Sequence, residues 1–298
     1  MADMNAFPNF VDVDTGMKRY FDEILTVNPP QASEYTFTNI FIWRYLYKFK
    51  ACMLKGNICI EGVDRTGPEF LMIVARDTDA YIDTIGHLSY AYAKEGRSLR
   101  LFRVEERFLE PLKRTFPSLT YDCDRDNSDY IYLSSDLIDL KGRKFDGKRN
   151  HIRRFKEKHV YEYRPITGAL IDDCIRLTEV WYATKRDEGL GADVVATREA
   201  LANYTALGLT GGAILIDGEV KAFSIAERLN AETAVIHIEK YDPSYEGIAQ
   251  VMNQQLCANA CSSYRYINRE QDMGVEGLRR SKLSYNPVLI LNKYKVST

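Results

Sequence analysis

Between Gly211 and Lys240 the chain reads GGAILIDGEVKAFSIAERLNAETAVIHIEK, three apolar runs separated by Asp217-Gly218 and Leu229-Asn230-Ala231. Turn residues of that kind between apolar runs predict a three-strand antiparallel meander. The third run passes through Asp242-Pro243-Ser244 and Glu246-Gly247 straight into a helix expected from Gly247 to Ala260. A meander that feeds a helix constrains the fold to a mixed αβ unit. The first half carries the same order. Lys55-Gly56-Asn57 is a hairpin turn between ACML and ICIEG, EFLMIVA is a third strand, and a helix follows from Asp79 to Glu95 with Gly96 as its stop. LRLFRV, EERFLEPLKRTF, LTYDCD and DYIYLS then read as strand, helix and two strands.

The second half starts with VYEYRPI as a strand and a long helical region from Ala169 to about Leu207, broken near Gly189 and Gly191. After the meander and its helix come YRYIN as a strand, EGLRRSKL as a helix and the strands around NPVLILNKYK. Two copies of one unit are the economical reading, divided into residues 1–130 and 131–298. Length supports it: 298 residues, 45% of them hydrophobic, suffice for two cores of ordinary size. A net charge of -2 argues against a general nucleic-acid binder and leaves room for a local basic groove. Six cysteines without a C-x-x-C pair indicate neither a zinc site nor a disulfide framework, and read as reduced, mostly packed thiols of a cytoplasmic protein. MADMNAFPNF lacks the regions of a signal peptide, and the longest apolar run, FTNIFIWRYLYKF, is short and carries Arg44 in its middle.

The strand, turn and helix over Thr233 to Leu256 form the place where a ligand class follows from backbone geometry. A helix start offers free N–H groups and the positive end of the dipole to an anion. Good turn and helix-start chemistry with no ligand is the plain alternative, and Glu246 puts a negative charge where an anion would dock. The corresponding turn in the first half, ARDTDAYID, has no glycine at the turn and carries Asp77, Asp79 and Asp83. That chemistry caps a helix and repels an anion, so donor chemistry belongs to the second half.

The order of elements and PSYEGIAQ after a strand resemble the GNAT acetyltransferase superfamily, whose acetyl-coenzyme A pyrophosphate loop has the form R/Q-x-x-G-x-G/A between a central strand and a helix. Aligned on Gly247, Ala249 takes the place of the second glycine, and Ser244 stands where the motif has arginine or glutamine. More specifically, KGRKFDGKRNHIRRFKEK together with INREQDMGVEGLRRSKLSYNP resembles the C-terminal synthase domain of phosphatidylglycerol lysyltransferases and its soluble relatives. The resemblance implies an α+β fold of tandem GNAT-like domains, each a mostly antiparallel central sheet flanked by helices. It also implies transfer of an acyl or aminoacyl group from an activated carrier to a lipid or amine acceptor. The co-substrate would be an aminoacyl-tRNA or an acyl-CoA, and the degenerate loop, with Tyr245, Gly247, Ile248, Ala249 and Gln250 in the 241–250 donor turn, fits the tRNA better. A silent binding module for RNA or an anionic surface and a CoA-dependent N-acetyltransferase are the competing readings. The location expected is cytoplasmic, with peripheral contact to the inner face of the membrane.

Such a transfer needs a base or water path, oxyanion donors and a leaving-group acid rather than an enzyme nucleophile. Strand parity puts His237 and Glu239 on one face, with Glu239 as base and His237 as proton shuttle, or else a surface salt bridge and a satisfied core histidine. Asn268, Arg269, Glu270 and Asp272 follow a strand end, where two carboxylates suit a cationic acceptor. Arg279 and Lys282, one helical turn apart, suit a phosphate, and Tyr285 is the local candidate for the acid. Helix capping and salt bridging explain the same residues. Finally, the segment 141–158 holds nine lysines and arginines against Asp146 and Glu157. With Phe145, Ile152 and Phe155 as its buried stripe, it predicts a basic helix presenting Lys144, Lys148, Arg149 and Arg153 to tRNA or anionic lipid headgroups, or simply to solvent.

Overall fold

The computed structural model describes residues 4–64, 67–185 and 191–298. The chain forms two compact units. The first comprises Met1–Asp129, Gln271–Gly274 and Leu291–Thr298, and the second Tyr130–Glu270 and Val275–Ile290.

In chain order the first unit contains β1 (Val11–Asp12), α1 (Lys18–Val27), α2 (Phe37–Tyr47), β2 (Lys50–Leu54), β3 (Asn57–Val63), β4 (Glu69–Val74), α3 (Thr78–Lys94), β5 (Arg100–Glu105), α4 (Leu109–Thr115) and β6 (Thr120–Cys123). The second contains β7 (Asp129–Leu133), α5 (Ser134–Asp139), α6 (Asp146–Lys158), β8 (Glu162–Pro165), α7 (Gly168–Lys185), α8 (Gly191–Ala202), α9 (Tyr204–Leu207), β9 (Thr210–Ile216), β10 (Glu219–Arg228), β11 (Thr233–Tyr241), α10 (Ile248–Ala260), β12 (Tyr266–Asn268), α11 (Glu276–Leu283) and β13 (Leu289–Leu291), and the chain ends in β14 (Lys293–Ser297). The break anticipated near Gly189 lies outside the described residues, and Gly191 opens α8.

Each unit has one seven-stranded sheet, ordered β1-β2-β3-β4-β5-β14-β6 in the first and β13-β7-β12-β11-β10-β9-β8 in the second. Both are mostly antiparallel and flanked by helices. The expected meanders are β2-β3-β4 and β9-β10-β11, and each ends in a strand that pairs parallel with the strand beyond the following helix, β4 with β5 and β11 with β12. The hairpin at Lys55-Gly56 works because both residues take positive φ, +52° and +77°, the twist that lets a two-residue loop join antiparallel strands.

A single boundary near residue 130 does not describe these sheets. DYIYL, read with the first half, is β7 of the second sheet, and the last strand, read with the second half, is β14 of the first, between β5 and β6. Burial explains the placement of β14. Val296 packs into the core of the first unit with Leu101, Val104 and Leu112, and the Lys293 ammonium is fully buried against Glu34 and Asp129. Hydrophobic periodicity states that a segment is a strand but not which sheet will take it. The helices α1 and α2 were not anticipated. α2 buries one end, Phe37 to Ile42, and leaves the other mostly half-buried, so its apolar stretch carries little of the periodicity by which a helix is read.

The second core packs α6 and α10 against the sheet through Phe145 just before α6, Ile152 and Phe155 on it, and Ile248, Val251, Met252 and Leu256 on α10. Of the six cysteines, all free, five are buried and Cys123 is exposed. Among the described residues no helix is long and apolar enough to cross a membrane.

Candidate active site in the second unit

β12 pairs with β11 only over Thr233 to Val235. The rest of β11 continues past the end of β12, so the side chains of His237 and Glu239, both on its polar face, meet the chain that follows β12. Glu270 takes His237, and Arg269 takes Glu239.

His237 is almost fully buried, with Nδ1 2.7 Å from Glu270 Oε1 and Nε2 2.7 Å from Glu227 Oε1. Burial pushes its pKa down, but the two carboxylates outweigh that and raise it to about 10. His237 is therefore an imidazolium clamped at both nitrogens near neutral pH, which corrects the expected shuttle: a ring with neither nitrogen open cannot relay a proton. Glu227, from the neighbouring β10, was not singled out in the sequence.

Glu239 Oε2 accepts from Arg269 Nε and Nη2 at 3.2 and 2.7 Å, and Oε1 from Asn253 Nδ2 at 3.4 Å. Burial raises its pKa, and the charges of Arg269 and Lys282 with these hydrogen bonds bring it below the usual carboxylate range. A carboxylate held that low is a weak base, so its geometric role is to fix Arg269. The arginine stands with Cζ 4.8 Å from the ring centre of Tyr285 and 5.7 Å from that of Tyr132. Two buried polar atoms beside this carboxylate, Arg269 Nη1 and Asn253 Oδ1, have no hydrogen-bond partner among the described residues. Unfilled buried donors and acceptors are uncommon in native proteins and mark places where a ligand or water completes the set.

Tyr285 is buried, and burial pushes its phenol pKa up, against the opposing charge of Arg269. Lys148, from α6, lies with its ammonium 3.9 Å from the Tyr285 ring centre and donates to Ser284 Oγ at 2.6 Å. Burial first and the charge of Arg269 second lower its pKa to about 8. Lys282 is buried and donates to the carbonyls of Arg269 and Glu270, the latter at 3.2 Å. Tyr132 donates its hydroxyl to the Lys282 carbonyl at 2.8 Å. The lysine thus pins the backbone that carries Arg269, which is a positioning role rather than the expected phosphate clamp with Arg279.

The remaining expected residues distribute as follows. Asn268 is buried and accepts the Glu270 N–H at 2.8 Å. Asp272 belongs to the first unit, where it accepts the Gly274 N–H at 2.9 Å and pairs with Arg125 at 3.5 Å. Arg279 is half-buried on α11 and donates its backbone N–H to the Val275 carbonyl at 2.9 Å. In the β11–α10 turn Gly247 has φ +92°, and a Cβ there would lie 2.5 Å from the His151 carbonyl oxygen. Close approach of α6 therefore requires glycine whatever the turn binds. Glu246 lies 3.7 Å from His151 and 3.9 Å from Arg154, and the Tyr245 ring packs edge-on to His159 at 5.1 Å. Ile248 is core, with Ala249 and Gln250 half-buried.

The basic helix is only in part a free cationic face. Lys144 bonds to Asp136 at 2.7 Å, and Arg149 donates to the carbonyls of Leu140 and Gly142 and pairs with Asp146. Arg153 stays 66% exposed, 3.9 Å from Glu157. Lys148 corrects the surface assignment most clearly, and the sequence held the signal. The stripe Phe145, Ile152, Phe155 passes through position 148, so the helix turns this lysine toward the core. Asn253 had a similar signal, a polar residue one helical turn before Leu256 and Cys257 on the buried side of α10.

Residues 26–297 match the family model described as phosphatidylglycerol lysyltransferase, C-terminal. A conserved protein of unknown function from Bacteroides thetaiotaomicron VPI-5482 is 33% identical, with TM-score 0.87 over 97% of this chain and 98% of that one. L-PGS from Bacillus licheniformis is 14% identical, with TM-score 0.68 over 99% of this chain and 93% of that one, a likeness of fold. An uncharacterised protein of Mycoplasmoides gallisepticum is 24% identical over 181 residues, 57% of this chain, and the match spans just over half, 56%, of that relative's length. The two units carry the tandem GNAT-like α+β fold.

Proposed function

The chain belongs to the phosphatidylglycerol lysyltransferase C-terminal family, and on that premise we propose that it moves an aminoacyl group from a large carrier, an aminoacyl-tRNA, to a lipid-headgroup or amine acceptor at the cluster around Arg269. The observation that carries this reading is the pair of unfilled buried atoms, Arg269 Nη1 and Asn253 Oδ1, on either side of the Glu239 carboxylate. A cationic donor matches the oxygen of an attacked ester carbonyl, and an acceptor matches an N–H or O–H of the incoming group.

The acceptor's nitrogen or oxygen forms a bond to the carbonyl carbon, and the ester C–O bond to the carrier breaks. Arg269 Nη1 stabilises the oxyanion between those events. Lys148, at a pKa of about 8, is neutral in a useful fraction near physiological pH and takes the acceptor's proton. Tyr285 keeps its proton because burial raises its pKa, and it supplies one to the departing oxygen. Glu239 holds Arg269 in place. What favours tRNA over coenzyme A is the Gly247 turn, which is packed against α6 and flanked by the negative Glu246. The exposed Arg153 and Arg154 on α6 are the residues we assign to RNA backbone or anionic headgroups.

The test is transfer of a labelled amino acid from charged tRNA to a panel of phosphatidylglycerol vesicles and primary amines, read by mass spectrometry. Arg269→Lys, which keeps the charge and loses the fork, should lower kcat by about 10²–10³. The wild-type rate should rise with pH through an apparent pKa of about 8, and Lys148→Met should remove that limb. Absence of transfer to every acceptor, or an Arg269→Lys variant as fast as wild type, refutes the assignment.

A further inference from the structure

The first unit holds a second built pocket. Trp43 and Tyr47 from α2 stand half-exposed at its mouth, Phe49 and Phe70 form its inner walls, and Glu34 and Gln271 lie at its base. The cavity measures about 30 Å³, room for one group the size of water or ammonium. Its rings are held as a set. Tyr47 stacks on Phe49 at 5.2 Å, and both meet Phe70 edge-on, at 6.2 and 6.1 Å. Gly62 makes the space for them, because a Cβ there would come within 2.7 Å of Phe49 and 2.9 Å of Phe70.

Arg103 and Asn39 also line the pocket, and the two polar atoms left unfilled are both acceptors. Glu34 Oε1 and Gln271 Oε1 are buried without a hydrogen-bond partner among the described residues, although Arg103 Nε faces the former at 3.2 Å as an ion pair. Around the base, Glu34, Asp124 and Asp129 pair with the buried Lys293 and Arg103 and with the partly exposed Lys295, 3.8 Å from Asp124. Burial raises the Glu34 pKa, with Lys293 opposing. An anion leaves both of these acceptors unfilled, and an alcohol supplies a single hydrogen to two acceptors. A primary ammonium supplies three hydrogens and a positive charge, and aromatic faces favour a cation beside them.

We propose that this pocket binds the primary ammonium end of an unbranched alkyl chain, with Glu34 and Gln271 accepting its hydrogens and the chain leaving between Trp43 and Tyr47. The pocket stands on its own residues and does not depend on the transfer proposed for the second unit.

The sequence has two tryptophans, so the Trp43 indole resonance can be assigned with Trp43→Phe and followed by ¹H–¹⁵N NMR in the full chain. Titration with n-pentylamine should shift it to saturation, and 1-pentanol and pentanoate should bind about tenfold more weakly or not at all. Gln271→Leu should weaken pentylamine by about tenfold, and Glu34→Gln should abolish its binding. If Glu34→Gln fails to fold, the loop variant Gln271→Leu still decides the matter. A blocked lysine, Nα-acetyl-lysine methylamide, separates the two sources of such a group. Binding like pentylamine assigns the pocket to lysine side chains, and exclusion assigns it to small free amines. Equal binding of pentanol and pentylamine, a Gln271→Leu variant with unchanged affinity, or no saturable shift would overturn the proposal.

Discussion

The β4–α3 and β11–α10 regions occupy the same place in the two units, a meander strand that turns into a helix, and they solve that turn differently. At the first, Asp77 is extended and its Oδ1 accepts the Ala80 N–H at 2.8 Å. The helix start is completed by its own carboxylate. At the second, Gly247 caps α10 in a left-handed conformation with no side-chain acceptor, and the backbone fits there because α6 packs against it. The strands differ in the same sense. β4 is buried through Phe70, Leu71, Met72, Ile73 and Val74, whereas β11 carries His237 and Glu239 on one face. One region is a self-sufficient structural element, and the other depends on groups brought from α6, α10 and the chain after β12.

That contrast can be broken at its strongest point by His237→Gln, which removes the buried cation that Glu227 and Glu270 share. A loss of about 3–5 kcal/mol is expected in urea unfolding, against less than about 1.5 kcal/mol for Met72→Leu in β4. The histidine also sets a pH signature. Its folded pKa of about 10 lies above the ordinary imidazole value of 6.5, so its stabilisation is fully present below pH 6.5 and disappears as pH rises from there through 10. Wild-type stability should fall over that window, and His237→Gln should flatten the decline. A variant as stable as wild type would mean that the clamp contributes nothing.

The turns themselves give the next comparison. Gly247→Ala forces a Cβ onto a left-handed residue and into the His151 carbonyl, for a loss of roughly 2–3 kcal/mol. Asp77→Ala removes one cap and should cost about 1 kcal/mol. Equal losses from the two, measured by denaturant midpoints at unchanged slope, would show that α6 yields to the new methyl group. The smallest effect belongs to Glu246→Gln, whose exposed contacts to His151 and Arg154 predict a change within about 0.5 kcal/mol. A rise in affinity for charged tRNA in that variant would sharpen the assignment of the turn to an anionic donor.

Much of this was legible before any coordinates. Turn residues placed both meanders, alternation put His237 and Glu239 on one face, and the motif segments pointed to the family. Legibility stopped where a side chain's partner comes from elsewhere in the chain. Nothing local to His237 indicates that Glu227 and Glu270 would occupy both its nitrogens, and Asp272, three residues past Arg269, lies in the other unit. Lys148 was readable as a cation and as a member of an apolar stripe, and those two readings conflict until the helix has packed.

The sequence alone determined the elements and their repeated order, since apolar period and turn chemistry act over a few residues. Tertiary structure decided which sheet took β7 and β14, how Lys148 came to lie half-buried over the Tyr285 ring, and why Glu239 holds an arginine instead of accepting a proton. These outcomes depend on desolvation and on charges brought together from distant segments, and the energies of both are set only when the chain has closed around them.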